Sequence, residues 1–535
     1  MAGFRVGSVP VRNGAGGNML GGVPAKTSAG MKKQIGFDNE HYLDEQSNYI
    51  IKCAEQFQNK LYLEFGGKLV GDYHAARILP GFDPDVKFRL LQRLGERIEI
   101  LLCIGAGDIA RKKIRTDLGI SYDEDILREI DNFREKGLLV TGVVITFFDD
   151  QPAAMQFRNK LKRRGVRTYF HRSIPGYPAD VDTIVSPAGY GINPFIETTK
   201  PIVVISAPGP SSGKMGTCLS QMYHDHSRGL ASGYAKFETF PIWNLSLDHP
   251  VNLAYEAATA DIGDFNVIDQ FHLDAYGEKA VNYNRDMEIF PLLRTVLEKI
   301  KGTESLYKSP TDMGVNRAGF AITDDVVVRE AATQEVVRRY FQYECDYVNG
   351  KVTRDTIERL EGLMAKLGVK PEYRPIVVPA RQAAEKGKKL KKGYDGIFCG
   401  AAMQLHNGET ITGSNSALFH ASAALVLNAI KKLANLPDPL HLLSPNIIDS
   451  IIHLKLTLLH GSSPSLDLEE VLVALSVSAP NNPAVALAIE QLPLLRGCEA
   501  HLTHIAAPGD EAGFRRLGVR LTCDSNFASR KLFDQ

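Results

Sequence analysis

One lysine stands behind a loop of small residues in Ile202-Val203-Val204-Ile205-Ser206-Ala207-Pro208-Gly209-Pro210-Ser211-Ser212-Gly213-Lys214, and an apolar, strand-like segment leads into that loop. This is the composition of a phosphate-binding loop. Side chains this small let backbone N–H groups converge on an anion, a helix starting at Lys214 would aim its positive end at the same point, and the ammonium adds a full charge. The run departs from the nucleotide pattern G-x-x-x-x-G-K-[ST] at two places. Pro208 stands where the first glycine belongs, and Met215 where the hydroxyl belongs. Gly209 leaves the loop one residue shorter, and Thr217 is the nearest hydroxyl for a metal. The expected binders of ATP or another phosphorylated ligand are therefore Gly209, Ser211, Ser212, Gly213, Lys214 and Thr217, with Mg²⁺ on Thr217. The competing reading is a plain strand-to-helix turn with a solvated lysine.

Further along, Asp269 follows the apolar residues 265–268, and Phe271-His272-Leu273-Asp274 comes next. Two carboxylates and an imidazole then gather at the carboxyl end of an expected strand, the edge that faces the nucleotide in a phosphate-loop domain. Asp269 would hold Mg²⁺, and Asp274 or His272 would accept a proton from an attacking hydroxyl. Asp269, His272 and Asp274 are thus the catalytic candidates, against the alternative of loop residues bonding locally. His224 and His226 are spaced by two on the helix expected from Gly213, which sets their rings about 200° apart around its axis and favours a helix-surface role over metal binding. Gly105-Ala106-Gly107-Asp108 resembles a dinucleotide turn without its third glycine. Thr412-Gly413-Ser414-Asn415-Ser416 precedes an alanine-rich helix and would either cap it or hold an anion there.

What must position these residues is a large soluble chain. With 535 residues, 44% apolar and 23% charged, core formation is assured and about three domains are expected. Formal net charge is zero, which gives no electrostatic ground for a nucleic-acid partner or an anionic membrane. Seven cysteines lack C-x-x-C spacing, several inside apolar runs, which points to a reducing compartment and no structural zinc. No apolar run approaches the ~20 residues needed to span a bilayer. Residues 1–30 hold eight glycines and no acidic residue, the composition of a disordered tail, a tag or an organelle transit peptide. The expected location is the cytoplasm, or an organelle if that segment is a transit peptide.

Apolar runs alternate with amphipathic stretches from residue 35 onward, which implies parallel α/β layering of Rossmann-like or P-loop-like type. Strands are expected at 61–63, 98–104, 143–146, 167–170, 201–206 and 265–268, with helices at 45–59 and 150–164. The expected units are an extension over 1–34, an α/β domain over 35–196, a P-loop-like domain over 197–333, a helical arm and linker over 334–392, and a C-terminal α/β domain over 393–535. In the last, Asn407-Gly408 marks a hairpin turn, 417–433 a helix, and 471–476 and 501–505 strands.

Four stretches, residues 209–215, 234–245, 249–261 and 309–316, resemble the bacterial family catalogued as domain of unknown function 1846. The likeness spans roughly residues 35–523; Arg317 stands where that family has methionine, and the first thirty residues lie outside it. The resemblance implies a large multidomain α/β protein, cytoplasmic and homo-oligomeric, and names no reaction. Taken with the loop, the expected function is a nucleotide- or phosphometabolite-binding enzyme acting on a small-molecule substrate, as an ATP-dependent phosphotransferase or ligase. A non-catalytic phosphometabolite sensor or assembly protein would use the same loop.

Overall fold

A computed structural model describes residues 35–529, apart from 59, 68, 70, 116, 117 and 462. The expected extension over 1–34 lies outside the described residues. The first half of the chain is organised by β1 (Leu61–Phe65), β2 (Ile98–Gly105), a small antiparallel pair β3 (Ile114–Arg115) and β4 (Ile120–Ser121), then β5 (Val140–Thr146), β6 (Thr168–Phe170), β7 (Ile202–Ser206) and β8 (Gly233–Phe237). Six of these form one parallel sheet in the order β6-β5-β2-β7-β1-β8. Its central strands are near-continuous apolar runs because helices cover both faces, and β1, β2 and β7 are buried along their whole length. Each buried Val, Leu or Ile there contributes roughly 1.5–3 kcal/mol relative to exposure.

Strand β7 inserts between β2 and β1, with Ile202 in register with both Leu61 and Ile98. The position expected to divide two domains, 196/197, therefore falls inside one sheet. A single hydrophobic core runs from Phe37 to Val377. The next expected division, 333/334, falls inside the helix Asp325–Val348, whose Val328, Ala332, Val336 and Val337 are buried. Residues 375–392, expected as a linker, form the helix Val377–Lys389 because Val377, Ala380 and Ala383 recur at helical spacing and bury together.

Outside the main sheet, β9 (Asn266–Ile268) pairs antiparallel with β10 (Val281–Tyr283). This corrects the expectation that residues 265–268 belong to the parallel sheet. The C-terminal region has its own core and a mixed sheet, β12-β11-β13-β14, of β11 (Gly400–Gln404), β12 (Thr410–Ser414), β13 (Glu499–Leu502) and β14 (Arg520–Cys523). The hairpin β11-β12 turns at Asn407 and Gly408 as expected, with Gly408 at φ +84°. Residues 471–476, expected as a strand for their β-branched content, lie in the helix Leu468–Ser478. A capping box explains the difference: Asp467 accepts from Glu470 N, and the Glu470 side chain returns to Asp467 N. Among the described residues no helix is long and apolar enough to cross a membrane.

Candidate functional site

All six parallel strands direct their carboxyl ends to the same edge, and the loop after β7 sits at the centre of that edge. Ser211 and Gly213 both adopt left-handed backbone, φ +55° and +77°. This alternation turns successive N–H groups inward to form a concave anion nest. Pro208 and Pro210 have no N–H to contribute. The N–H groups of Gly209, Ser211, Ser212, Gly213, Lys214, Met215 and Gly216 donate to no acceptor among the described residues, whereas Thr217 N closes the first helical bond to Gly213 O at 3.0 Å. The orphaned donors of the helix Lys214–Ser227 thus follow directly on those of the loop.

Neighbouring strands hold the nest in shape. Thr146, at the end of β5, donates its hydroxyl to Ser212 O at 2.8 Å. A Cβ at Gly213 would come within 2.8 Å of Thr146 Cβ, and one at Gly209 would overlap the Tyr122 hydroxyl. Ser212 is 3% exposed and its hydroxyl has no partner, while Pro210 and Ser211 are open to solvent. Lys214 is not a solvated lysine. Its Nζ lies 3.9 Å from Glu64 Oε1, at the end of β1, and Glu64 Oε2 accepts from the Tyr234 hydroxyl at 2.7 Å.

Thr217 does not face the nest. It is buried, its hydroxyl donates to Gly213 O at 3.0 Å, and Cys103 and His171 flank it. Asp269, His272 and Asp274 lie away from the nest as well, because β9 belongs to the small antiparallel sheet. Asp269 caps the helix Gln270–Tyr276: one oxygen accepts from His272 N at 3.0 Å, and the other from Thr311 N and Oγ1 at 3.1 and 2.6 Å. His272 Nδ1 meets Ser309 Oγ at 3.1 Å, and Asp274 is exposed, bonded to Gln270. Asp269 and His272 therefore brace the segment 309–312 from behind.

That segment is one wall of a cleft of about 40 Å³. Lys236, Glu238, Trp243, Asn282, Asp286 and Thr311 line it, together with apolar side chains. The opposite wall is tied to the first by Asn316, whose Nδ2 donates to Thr239 O at 2.8 Å and whose carbonyl accepts from Trp243 Nε1 at 2.9 Å. Two of the four stretches on which the family resemblance rests thus meet across this cleft. Arg317 lies beside it, its guanidinium stacked 4.0 Å from the Phe320 ring.

Inside, Lys236 Nζ contacts the Tyr283 hydroxyl and lies 2.7 Å from Asp286 and 3.3 Å from Glu238. Burial opposes the charge on Lys236, but Asp286 and Glu238 more than compensate and hold its proton above the ordinary lysine range. Burial pushes the Glu238 carboxyl up to about 7; Lys236 pulls against this, and Asp286 and Glu64 add to the rise. A carboxyl poised near neutrality in a cleft is suited to general acid–base work. Sequence reasoning passed over Lys236 and Glu238, although their spacing of two on an otherwise apolar strand puts both on one face at its carboxyl end.

Nest and cleft adjoin. Glu64, against Lys214, is in register with Lys236 on the neighbouring strand, and a Cβ on Gly66 would lie 2.8 Å from Glu238 Oε1. The remaining candidates are structural. His224 Nε2 lies 2.6 Å from Asn193 O, and His226 is exposed. Asp108 is engaged by Arg111 at 2.7 Å, and Ser414 and Asn415 bond to Ala383 O and Ile397 O. Among the described residues no group of three or more His, Cys, Asp or Glu is placed to hold a metal ion.

Residues 35–368 match the family described as "Domain of unknown function DUF1846, N-terminal", and residues 372–533 match its C-terminal counterpart. Similar proteins include a UPF0371 protein of Clostridium tetani (strain Massachusetts / E88), 53% identical over 502 residues that cover 94% of this chain and 99% of the relative. A UPF0371 protein of Clostridium botulinum (strain Alaska E43 / Type E3) matches with the same identity and coverage. A third, of Clostridioides difficile (strain 630), is 52% identical over 500 residues, again 94% and 99% of the two chains.

Proposed function

The chain belongs to the DUF1846 family, and from the edge its parallel sheet presents we propose that it is a nucleotide- or phosphometabolite-binding enzyme. The phosphate sits in the nest of residues 209–216, and Glu238 exchanges a proton with the part of the small-molecule substrate that enters the cleft. One observation supports this reading: seven N–H groups between Gly209 and Gly216 have no acceptor among the described residues and follow the end of a central parallel strand, beside a lysine 3.9 Å from Glu64. Glu238, raised by burial and 3.3 Å from Lys236 in a cleft, supports catalysis over passive sensing.

The roles divide by position. Amide dipoles and Lys214 neutralise and orient the phosphate, which fixes the remainder of the molecule over β1 and β8. Glu238 gives or takes the proton, and Lys236 steadies negative charge that develops beside it. Asp269 and His272 are positioning residues, acting through Thr311 and Ser309 on the cleft wall.

Isothermal titration with ATP, ADP and inorganic phosphate, with and without Mg²⁺, tests the reading on the native chain and on Lys214→Ala. Heat from the native chain that Lys214→Ala abolishes is expected. A folded native chain that gives no heat with any of the three overturns the proposal.

A further inference from the structure

The nest and the cleft together restrict what can occupy this edge. We propose that it takes a phosphomonoester of a small hydroxylated compound, with the phosphate on the nest and a hydroxyl or carbonyl oxygen between Lys236 and Glu238. This narrows the functional reading above and rests on it. Three observations separate such a ligand from a nucleoside triphosphate.

The first is charge. The nest offers one ammonium and the amide dipoles, a match for a phosphate dianion, whereas a triphosphate is ordinarily shared with a divalent cation held by hydroxyl and carboxylate side chains. Beside the nest, Thr217 Oγ1 is engaged with Gly213 O and Thr146 Oγ1 with Ser212 O, and the adjacent carboxylate, Glu64, is taken by Tyr234 and Lys214. Ser212 Oγ, buried within the loop and unpartnered, can donate to a phosphate oxygen in place of a metal.

The second is size. A cleft of about 40 Å³ has room for roughly three water-sized groups, so the part of the ligand that enters it is small, a hydroxylated carbon or two. The third is chemistry. The Lys236 ammonium has the carboxyl groups of Glu238 and Asp286 at 3.3 and 2.7 Å, an arrangement that donates to and accepts from hydroxyl groups. The nest follows β7 and the cleft opens at the end of β8, with β1 between them, so a ligand must reach about two strand spacings, ~10 Å, from nest to cleft, further than methyl phosphate extends.

Isothermal titration of the full chain with methyl phosphate, glycerol 3-phosphate, ribose 5-phosphate and Mg²⁺·ATP, repeated on Lys214→Ala and Glu238→Gln, tests this. The hydroxylated monoesters should bind at least ten-fold more tightly than methyl phosphate and Mg²⁺·ATP. Glu238→Gln should remove that advantage while leaving methyl phosphate affinity within two-fold, and Lys214→Ala should weaken every phosphate compound. If the hydroxylated esters bind no more tightly than methyl phosphate, or Mg²⁺·ATP binds most tightly, the substrate class is wrong and the phosphate nest stands. If no compound binds to a chain that circular dichroism shows to be folded, the nest itself is wrong and this inference falls with it.

Discussion

Lys214 Nζ lies 3.9 Å from Glu64 Oε1 in surroundings that leave the two side chains 10% and 12% exposed. Each charge is tolerable there because of the other. Removing the ammonium in Lys214→Ala leaves a carboxylate out of water with only the Tyr234 hydroxyl for a partner, which should cost about 3 kcal/mol in urea unfolding. The double variant Lys214→Ala/Glu64→Gln should recover more than half of that loss. If the single variant is as stable as the native chain, the pair does not form.

The nest makes a second demand, on backbone. Gly213 combines φ +77° with a Thr146 side chain 2.8 Å from where a Cβ would lie. Gly213→Ala should therefore lose about 1–3 kcal/mol of stability and, with the amides redirected, its phosphate binding. Gly216→Ala is the control. Its Cβ would meet nothing within 4 Å and alanine is the better helix former, so stability should hold or rise by up to about 1 kcal/mol.

Pattern was enough to read the strand–loop–lysine–helix unit, because residues 202–205 are apolar on both faces and the loop residues carry only small side chains. The partner of a strand cannot be read in the same way. Residues 266–268 look like a parallel-sheet strand, yet they pair antiparallel with Val281–Tyr283, and this puts Asp269, expected to hold Mg²⁺, and His272, expected as a base, at the back of the cleft wall. Likewise nothing local announces that β7 inserts between β2 and β1, an arrangement that depends on contacts more than 100 residues apart in sequence. Glu238 was hidden for a related reason: its chemistry comes from burial beside Lys236 and Asp286, and Asp286 lies on a helix 48 positions further along.

Glu238 gives a prediction in pH. Its folded value near 7 lies above its ordinary value of 4.5, so between these two the folded chain holds the proton more tightly than the unfolded chain. The sign follows: this carboxyl favours folding below about pH 4.5, and that contribution is lost as pH rises to about 7. Glu129, also raised to about 7 by burial, acts in the same window, so the informative quantity is the difference between native and variant. Melting temperatures measured from pH 4.5 to 8 should show Glu238→Gln gaining on the native chain as pH rises. A constant difference across the range would mean that Glu238 titrates as an ordinary carboxylate.

The C-terminal region has a buried ion pair that titrates with the opposite logic on each partner. Asp510 is 0% exposed and accepts from Ser422 Oγ, from Leu468 N at 2.9 Å and from His420 Nδ1 at 2.8 Å. Burial opposes both charges; the mutual attraction wins, holding Asp510 below the carboxylate range and raising His420 above its ordinary 6.5. A raised histidine stabilises the fold fully below pH 6.5, and that contribution is lost as pH climbs through its folded value. Asp510→Asn should cost about 3 kcal/mol at pH 6 by stranding the His420 imidazolium, and less at pH 9, as pH climbs through the raised His420 value. His504 lies close by and is pulled down to about 4 by burial, so it is neutral in the folded chain but takes up a proton on unfolding below about pH 6.5; the difference between native and variant is therefore the informative quantity. Urea unfolding of the native chain and of Asp510→Asn at pH 6 and pH 9 measures the effect; equal losses at both values would show that His420 carries no charge in the folded protein.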